Sequence, residues 1–150
     1  MNIYVASSWR CKWQPYAVEQ LRAGPEKFEV YDFRNPAPGN TGFRWSDIDP
    51  DWQHWSADQL ATALSHPIAV EGFRHDAEAL ARCDACVLVL PCGRSAHLEL
   101  GWAIGAGKIG AVYAPDGFTE PELMYKFATA GIHVSIAALI PALLKARITK

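Results

Sequence analysis

The residues best suited to chemistry lie in the stretch CDACVLVLPCGRSAHLELGWAIGAGK, residues 83 to 108. Glu99 sits there between Leu98 and Leu100, shortly after the unbroken apolar run Cys86 to Leu90. A carboxylate just beyond the C-terminal end of a parallel strand stands where open α/β sheets bind ligands, so Glu99 is a candidate nucleophile. A second group follows the first apolar run of the chain: Ser7, Ser8, Trp9 and Arg10. Hydroxyls, backbone N–H groups and a guanidinium at a helix N-terminus suit a phosphate or carboxylate. Gly93, Arg94 and Ser95 supply a second wall for the same ligand. A solvated loop with capping serines explains these residues without any ligand.

Other polar residues carry weaker signals. Asp76 stands alone on a helical pattern, where an acid is usually a solvated charge. Asp84 reads as a cap or turn residue at a strand entry. His75 and His97 are acid–base candidates by residue type but have no recognisable partner in the sequence. Cys83 and Cys86 form a C-x-x-C, yet no further His or Cys has zinc-ribbon spacing, so small buried thiols are expected and no metal. Trp45, Trp52 and Trp55 could stack on a nucleobase or could form a satellite cluster that lets a long loop pack.

These residues need elements to position them. Asn2 to Ala6, Phe28 to Phe33, Cys86 to Leu90, Ile109 to Tyr113 and Ile132 to Ser135 read as strands. Helical patterns cover Pro15 to Ala23, Ser56 to His66, Ala69 to Arg82, Ala96 to Gly107, Glu120 to Ala130 and Ile136 to Ala146. Ser95 is the expected cap of the fourth, Ser56-x-x-Gln59 a capping box for the second, and Pro141 a kink or break in the last. Alternating strands and helices predict an α/β fold, a doubly wound, flavodoxin-like (Rossmann-like) five-stranded parallel sheet of order 2-1-3-4-5. Its switch point falls between the first and third strands, so the loops at 7–10 and 92–95 should face one another across a crevice.

The chain has 150 residues and a formal net charge of −2, half of them hydrophobic. One domain, 1–150, is expected, with a Trp-rich insert at about 35–55. The charge gives no reason to expect nucleic acid, no apolar run approaches a membrane span, and no leader is read at the N-terminus, so the cytoplasm is the expected compartment.

In IYVASSWR, in the D-x7-D-x14-E spacing of Asp76, Asp84 and Glu99, and in ELGWAIGAGK, the chain resembles the nucleoside 2-deoxyribosyltransferase superfamily, which includes the 2′-deoxynucleoside 5′-phosphate N-hydrolases. The resemblance implies that Glu99 attacks the anomeric carbon of a deoxyribose and expels the base, leaving a covalent glycosyl-enzyme for water or a second base to resolve. It implies that Tyr4 holds Glu99 by a hydrogen bond and that Asp76 contacts the sugar or shares a proton with the nucleophile. It implies a homodimer or higher homo-oligomer in which the segment PELMYK, with Glu122 and Met124, completes a neighbouring pocket, and a small nucleoside or nucleotide substrate with no cofactor. Nucleoside transferases carry an Asp six residues before the nucleophile, where this chain has Gly93. Ser8 and Arg10 resemble the Ser and Arg after strand one in the phosphohydrolase branch, and Ser95 lies in its Ser-bearing loop but is displaced from the family's spacing; Arg10, Arg94 and Ser95 point to a 5′-phosphorylated substrate. A TIR-like NAD glycohydrolase and a non-catalytic nucleotide-binding module are the alternatives.

Overall fold

The computed structural model describes residues 1–149. The chain forms two compact units: residues 1–32 with the chain from Leu80 onward, and Phe33–Ala79. The first unit holds the whole sheet. Its strands are β1 (Asn2–Ala6), β2 (Glu29–Asp32), β3 (Ala85–Val89), β4 (Ile109–Tyr113) and β5 (Ile132–His133), in the order β2-β1-β3-β4-β5. Every pairing is parallel. β3 and β4 are buried along their whole length, as central strands covered on both faces must be. The expected fold is therefore the observed one, with strand ends shifted by a few residues.

One face of the sheet carries Ile3, Val5, Val87, Val89 and Ala111, packed against α1 (Trp13–Ala23) and α5 (Ile136–Ile148). Leu21, Leu139 and Leu143 are fully buried there. The alternate residues turn to the other face. Tyr4 pairs in register with Cys86, and Cys86 with Gly110. Over this face lies α4 (Arg94–Gly105). A Cβ on Gly110 would come within 2.7 Å of Ile104 Cδ1 and 3.4 Å of Leu100 Cδ1. The missing side chain lets the helix settle directly onto β4.

Three expectations need correction. Ser95 does not cap α4: Gly93, in extended conformation, is the cap residue, and Ser95 lies inside the first turn. The helix expected over Glu120 to Ala130 is only a 3-10 segment, Leu123–Phe127. Pro121 disfavours helical backbone in the residue before it, and Gly131, with φ of 78°, turns the chain into β5. Pro141 does not break the last helix, which runs unbroken from Ile136 to Ile148 after a Ser135 cap that accepts from Ala138 N at 3.3 Å. The expected stop after α4 is present: Gly107 is left-handed, and Lys108 N–H reaches back to Ala103 O at 2.8 Å.

The second unit contains α2 (Ala57–Ala63) and most of α3 (Pro67–Arg82) beside the Trp-rich loop. The capping box at Ser56 and Gln59 forms in both directions. Trp45 meets Phe43 edge-on at 4.7 Å and Trp55 edge-on at 5.5 Å between ring centroids. Trp55 Nε1 donates to Asp49 at 2.7 Å, a bond that lowers the Asp49 pKa. Gly72 of α3 leaves room for Phe43, whose Cβ lies 2.7 Å from where a glycine Cβ would be. For Trp45 and Trp55 this is the satellite-cluster reading.

Gly110→Val should cost about 1–3 kcal/mol, the usual penalty for overpacking a filled interface. Urea denaturation should show a lower midpoint with an unchanged slope. An unchanged midpoint would mean that α4 does not rest on this strand.

Candidate functional site

The loops after β1 and β3 meet, as the switch-point argument expects. Ser7 Oγ donates to Val89 O at 2.8 Å, and Cys11 Sγ lies 3.5 Å from Leu90 O. Ser7 is thus a brace between the two strand ends, with its proton committed to backbone. Ser8 Oγ accepts from Arg10 N at 3.2 Å, a local turn that leaves the Arg10 side chain exposed. Trp9 is half-buried, and Arg94 and Ser95 are exposed.

Glu99 lies on α4, one helical turn from the buried Ala96 and beside the buried Leu100. It is half-buried. Its charge reaches two thiols. Cys86 is pushed well above its ordinary pKa, first by burial and then by the neighbouring Cys83 and Glu99. Cys92 is pushed up to about 12, first by burial, then by Cys11 and Glu99. Glu99 therefore stands near the β3 end on the sheet face that carries Cys86, the register neighbour of Tyr4. Tyr4 is fully buried and stacks on Tyr31, with ring centroids 5.2 Å apart and planes at 18°.

The first unit also holds a cluster that the sequence does not announce. His97 Nδ1 lies 2.9 Å from Gly93 O, and its Nε2 lies 2.9 Å from Tyr125 OH. The two rings are nearly parallel, at 12°. Cys92 Sγ is 3.6 Å from the same Nδ1. Burial raises the Tyr125 pKa, and the nearby Cys92 and Glu122 add to the rise. The only available sequence signal is that Gly93 and His97 are four apart at a helix start; nothing in the sequence points to Tyr125.

Other candidates are placed elsewhere. Asp84 is not near the β3 exit: its Oδ2 accepts from Asn2 N at 2.8 Å, tying β1 and β3 at their N-terminal ends. Asp76 is a partly exposed residue of α3 in the second unit. His75 meets Glu71 at 3.1 Å in an exposed ladder with Arg74. Glu122 caps the 3-10 segment by accepting from Met124 N at 2.9 Å, and Met124 is exposed. Cys83 and Cys86 are buried thiols outside any disulfide, with Cys83 Sγ donating to Leu80 O at 3.2 Å. Among the described residues no group of three or more His, Cys, Asp or Glu is placed to hold a metal ion, and no helix is long and apolar enough to cross a membrane.

No protein-family model and no curated protein matches this chain. The functional reading therefore rests on the residues themselves.

A thiol pushed from 9.0 to about 12 holds about a thousandfold less thiolate at pH 8. Iodoacetamide should therefore label Cys92 far more slowly in the folded protein than in the unfolded chain. Glu99→Gln should speed that labelling several-fold by removing a nearby negative charge. Mass spectrometry of the Cys92 peptide gives both rates, and equal rates for the two proteins would separate Glu99 from the β3 exit.

Proposed function

We propose that this chain cleaves or transfers the N-glycosidic bond of 2′-deoxynucleosides or their 5′-monophosphates, with Glu99 as nucleophile. The observation that carries the reading is the half-buried position of Glu99, close enough to Cys86 and Cys92 to raise both thiols, at the exit of β3. The braced ends of β1 and β3 stand at the switch point of the sheet, where open α/β sheets bind ligands.

A carboxylate oxygen attacks C1′ as the C1′–N bond breaks, and the bond pair leaves with the base, which takes up a proton. Positive charge builds on the sugar during this step, and a carboxylate in an under-solvated position stabilises and then traps it. A 2′-deoxy sugar has no electron-withdrawing hydroxyl beside the cation, so it reacts more readily. Water or a second base then attacks C1′ from the opposite side and restores the carboxylate.

Tyr4, buried in β1 on the same sheet face, is suited to holding Glu99 in place. The role of Asp76, contact with the sugar or a shared proton, is part of the proposal. Arg10, exposed in the loop after β1, and Arg94 and Ser95, exposed in the first turn of α4, favour a 5′-phosphorylated substrate. The α4 cap residue Gly93 offers no side-chain cap to that turn. A second copy of the chain is proposed to complete the pocket through Glu122 and Met124. Support comes from the exposed apolar side chains around them, Leu123 at 80% and Phe127 at 60%.

Glu99→Ala should abolish release of free base from 2′-deoxynucleotides, measured chromatographically, while the circular dichroism spectrum is unchanged. Wild-type turnover in that variant would remove Glu99 as nucleophile. Release of nicotinamide from NAD, with no base from deoxynucleotides, would move the reaction to the NAD glycohydrolase class.

Arg10→Ala should raise KM for 2′-deoxynucleoside monophosphates by about tenfold, the worth of one charge-assisted contact, and leave nucleosides nearly unaffected. Equal losses for both substrate types would remove the phosphate from the reading.

A further inference from the structure

The His97 and Tyr125 cluster has no part in the reaction as written above, yet it grips the loop on which that reading depends. A carbonyl oxygen can only accept, so the 2.9 Å contact with Gly93 O puts the proton of the neutral imidazole on Nδ1. Nε2 is then an acceptor, and the 2.9 Å contact with Tyr125 is a bond donated by the phenol. The chain of bonds runs from Tyr125 O–H to His97, and from His97 Nδ1–H to the carbonyl of the α4 cap residue. Tyr125 is itself 9% exposed and lies against Phe118, ring centroids 6.0 Å apart, so the phenol is a fixed post. His97, by contrast, is an exposed side chain on a first-turn position. Without the post it would lose rotamer freedom for a single exposed hydrogen bond, a poor exchange.

We propose that His97 and Tyr125 are positioning residues that lock the β3–α4 loop, Pro91 to Arg94, in its ligand-ready conformation. This rests on the proposed N-glycosidase reading for its effect on substrate, though not for its effect on the loop. The Tyr125 end of the chain belongs to the same 3-10 segment as Met124. The latch therefore ties the loop that would meet substrate to the segment proposed to reach a second copy. Neither residue touches the reacting atoms in this proposal. Each acts through the backbone of Gly93 and the side chain of Cys92, 3.6 Å from Nδ1.

The test uses full-length protein carrying Tyr125→Phe, His97→Phe, His97→Asn and the Tyr125→Phe/His97→Phe pair. Hydrogen exchange of the peptide spanning residues 90–97, without ligand, reads the loop directly. Tyr125→Phe and His97→Phe should each speed exchange there by about 2–10-fold, the worth of one hydrogen bond. The double variant should be no faster than His97→Phe alone, because both remove one chain of bonds. His97→Asn keeps a donor near the Nδ1 position but offers no acceptor to the Tyr125 phenol, so it should exchange about as fast as Tyr125→Phe. With 2′-deoxycytidine 5′-monophosphate as substrate, KM should rise more than kcat falls in all three single variants. Unchanged exchange in Tyr125→Phe, additive effects in the double variant, or wild-type protection in His97→Asn would each overturn the latch. Absence of base release by wild-type protein would instead refute the N-glycosidase reading, and the exchange rates would still decide the latch. A variant that unfolds is recognised by exchange rising across all peptides, and His97→Asn, with its retained donor, then carries the comparison.

Discussion

The bond from Ser7 Oγ to Val89 O, 2.8 Å long, is the constraint on which the candidate site depends. A parallel sheet buried on both faces directs the chain outward at the C-terminal ends of its strands. At the switch point of a 2-1-3-4-5 sheet the helices after β1 and β3 leave on opposite faces, and a crevice opens between them. Ladder bonds stop where the strands stop. Ser7 adds one more link beyond the ladder, and the Cys11 thiol, 3.5 Å from Leu90 O, lies beside it. The two loops can then hold a defined spacing without further backbone pairing. Deleting the Ser7 hydroxyl would leave the sheet intact and loosen only the place where α4 begins.

The packing of α4 follows from that beginning. Ala96, Leu100 and Ala103 form its buried stripe, and the absence of a side chain at Gly110 lets the stripe reach the sheet. Glu99 stands at the border of this stripe. A residue one position nearer its centre would be buried without water; one on the far side, like the exposed Leu98, would face solvent. Half-burial is the outcome of this geometry.

Much of this was legible because it is local. The apolar runs of β3 and β4, the left-handed Gly107 after α4 and the Ser56 capping box each depend on residues within one or two turns of one another. The sheet order and the facing loops follow from handedness rules applied to those elements. What was not legible depends on the path of the chain. Asp84 shares a tidy spacing with Glu99, yet it sits at the entry of β3. A strand of five residues separates it from the exit by roughly 16 Å. His97 looked like a surface histidine because its partner Tyr125 is 28 residues away, on a segment whose helical pattern Pro121 cuts to a 3-10 turn. Ser95 has the residue type of a helix cap, but Gly93 takes that place in extended backbone two positions earlier.

The surroundings of Glu99 also bear on how a carboxylate could work there. Two of the groups that feel the field of Glu99 are thiols whose own ionisation is suppressed, Cys92 pushed up to about 12 and Cys86 pushed up chiefly by burial. Neutral thiols add no second negative charge and make only weak hydrogen bonds. On the proposed reading, the positive charge that develops on the sugar would meet the Glu99 carboxylate near two uncharged thiols.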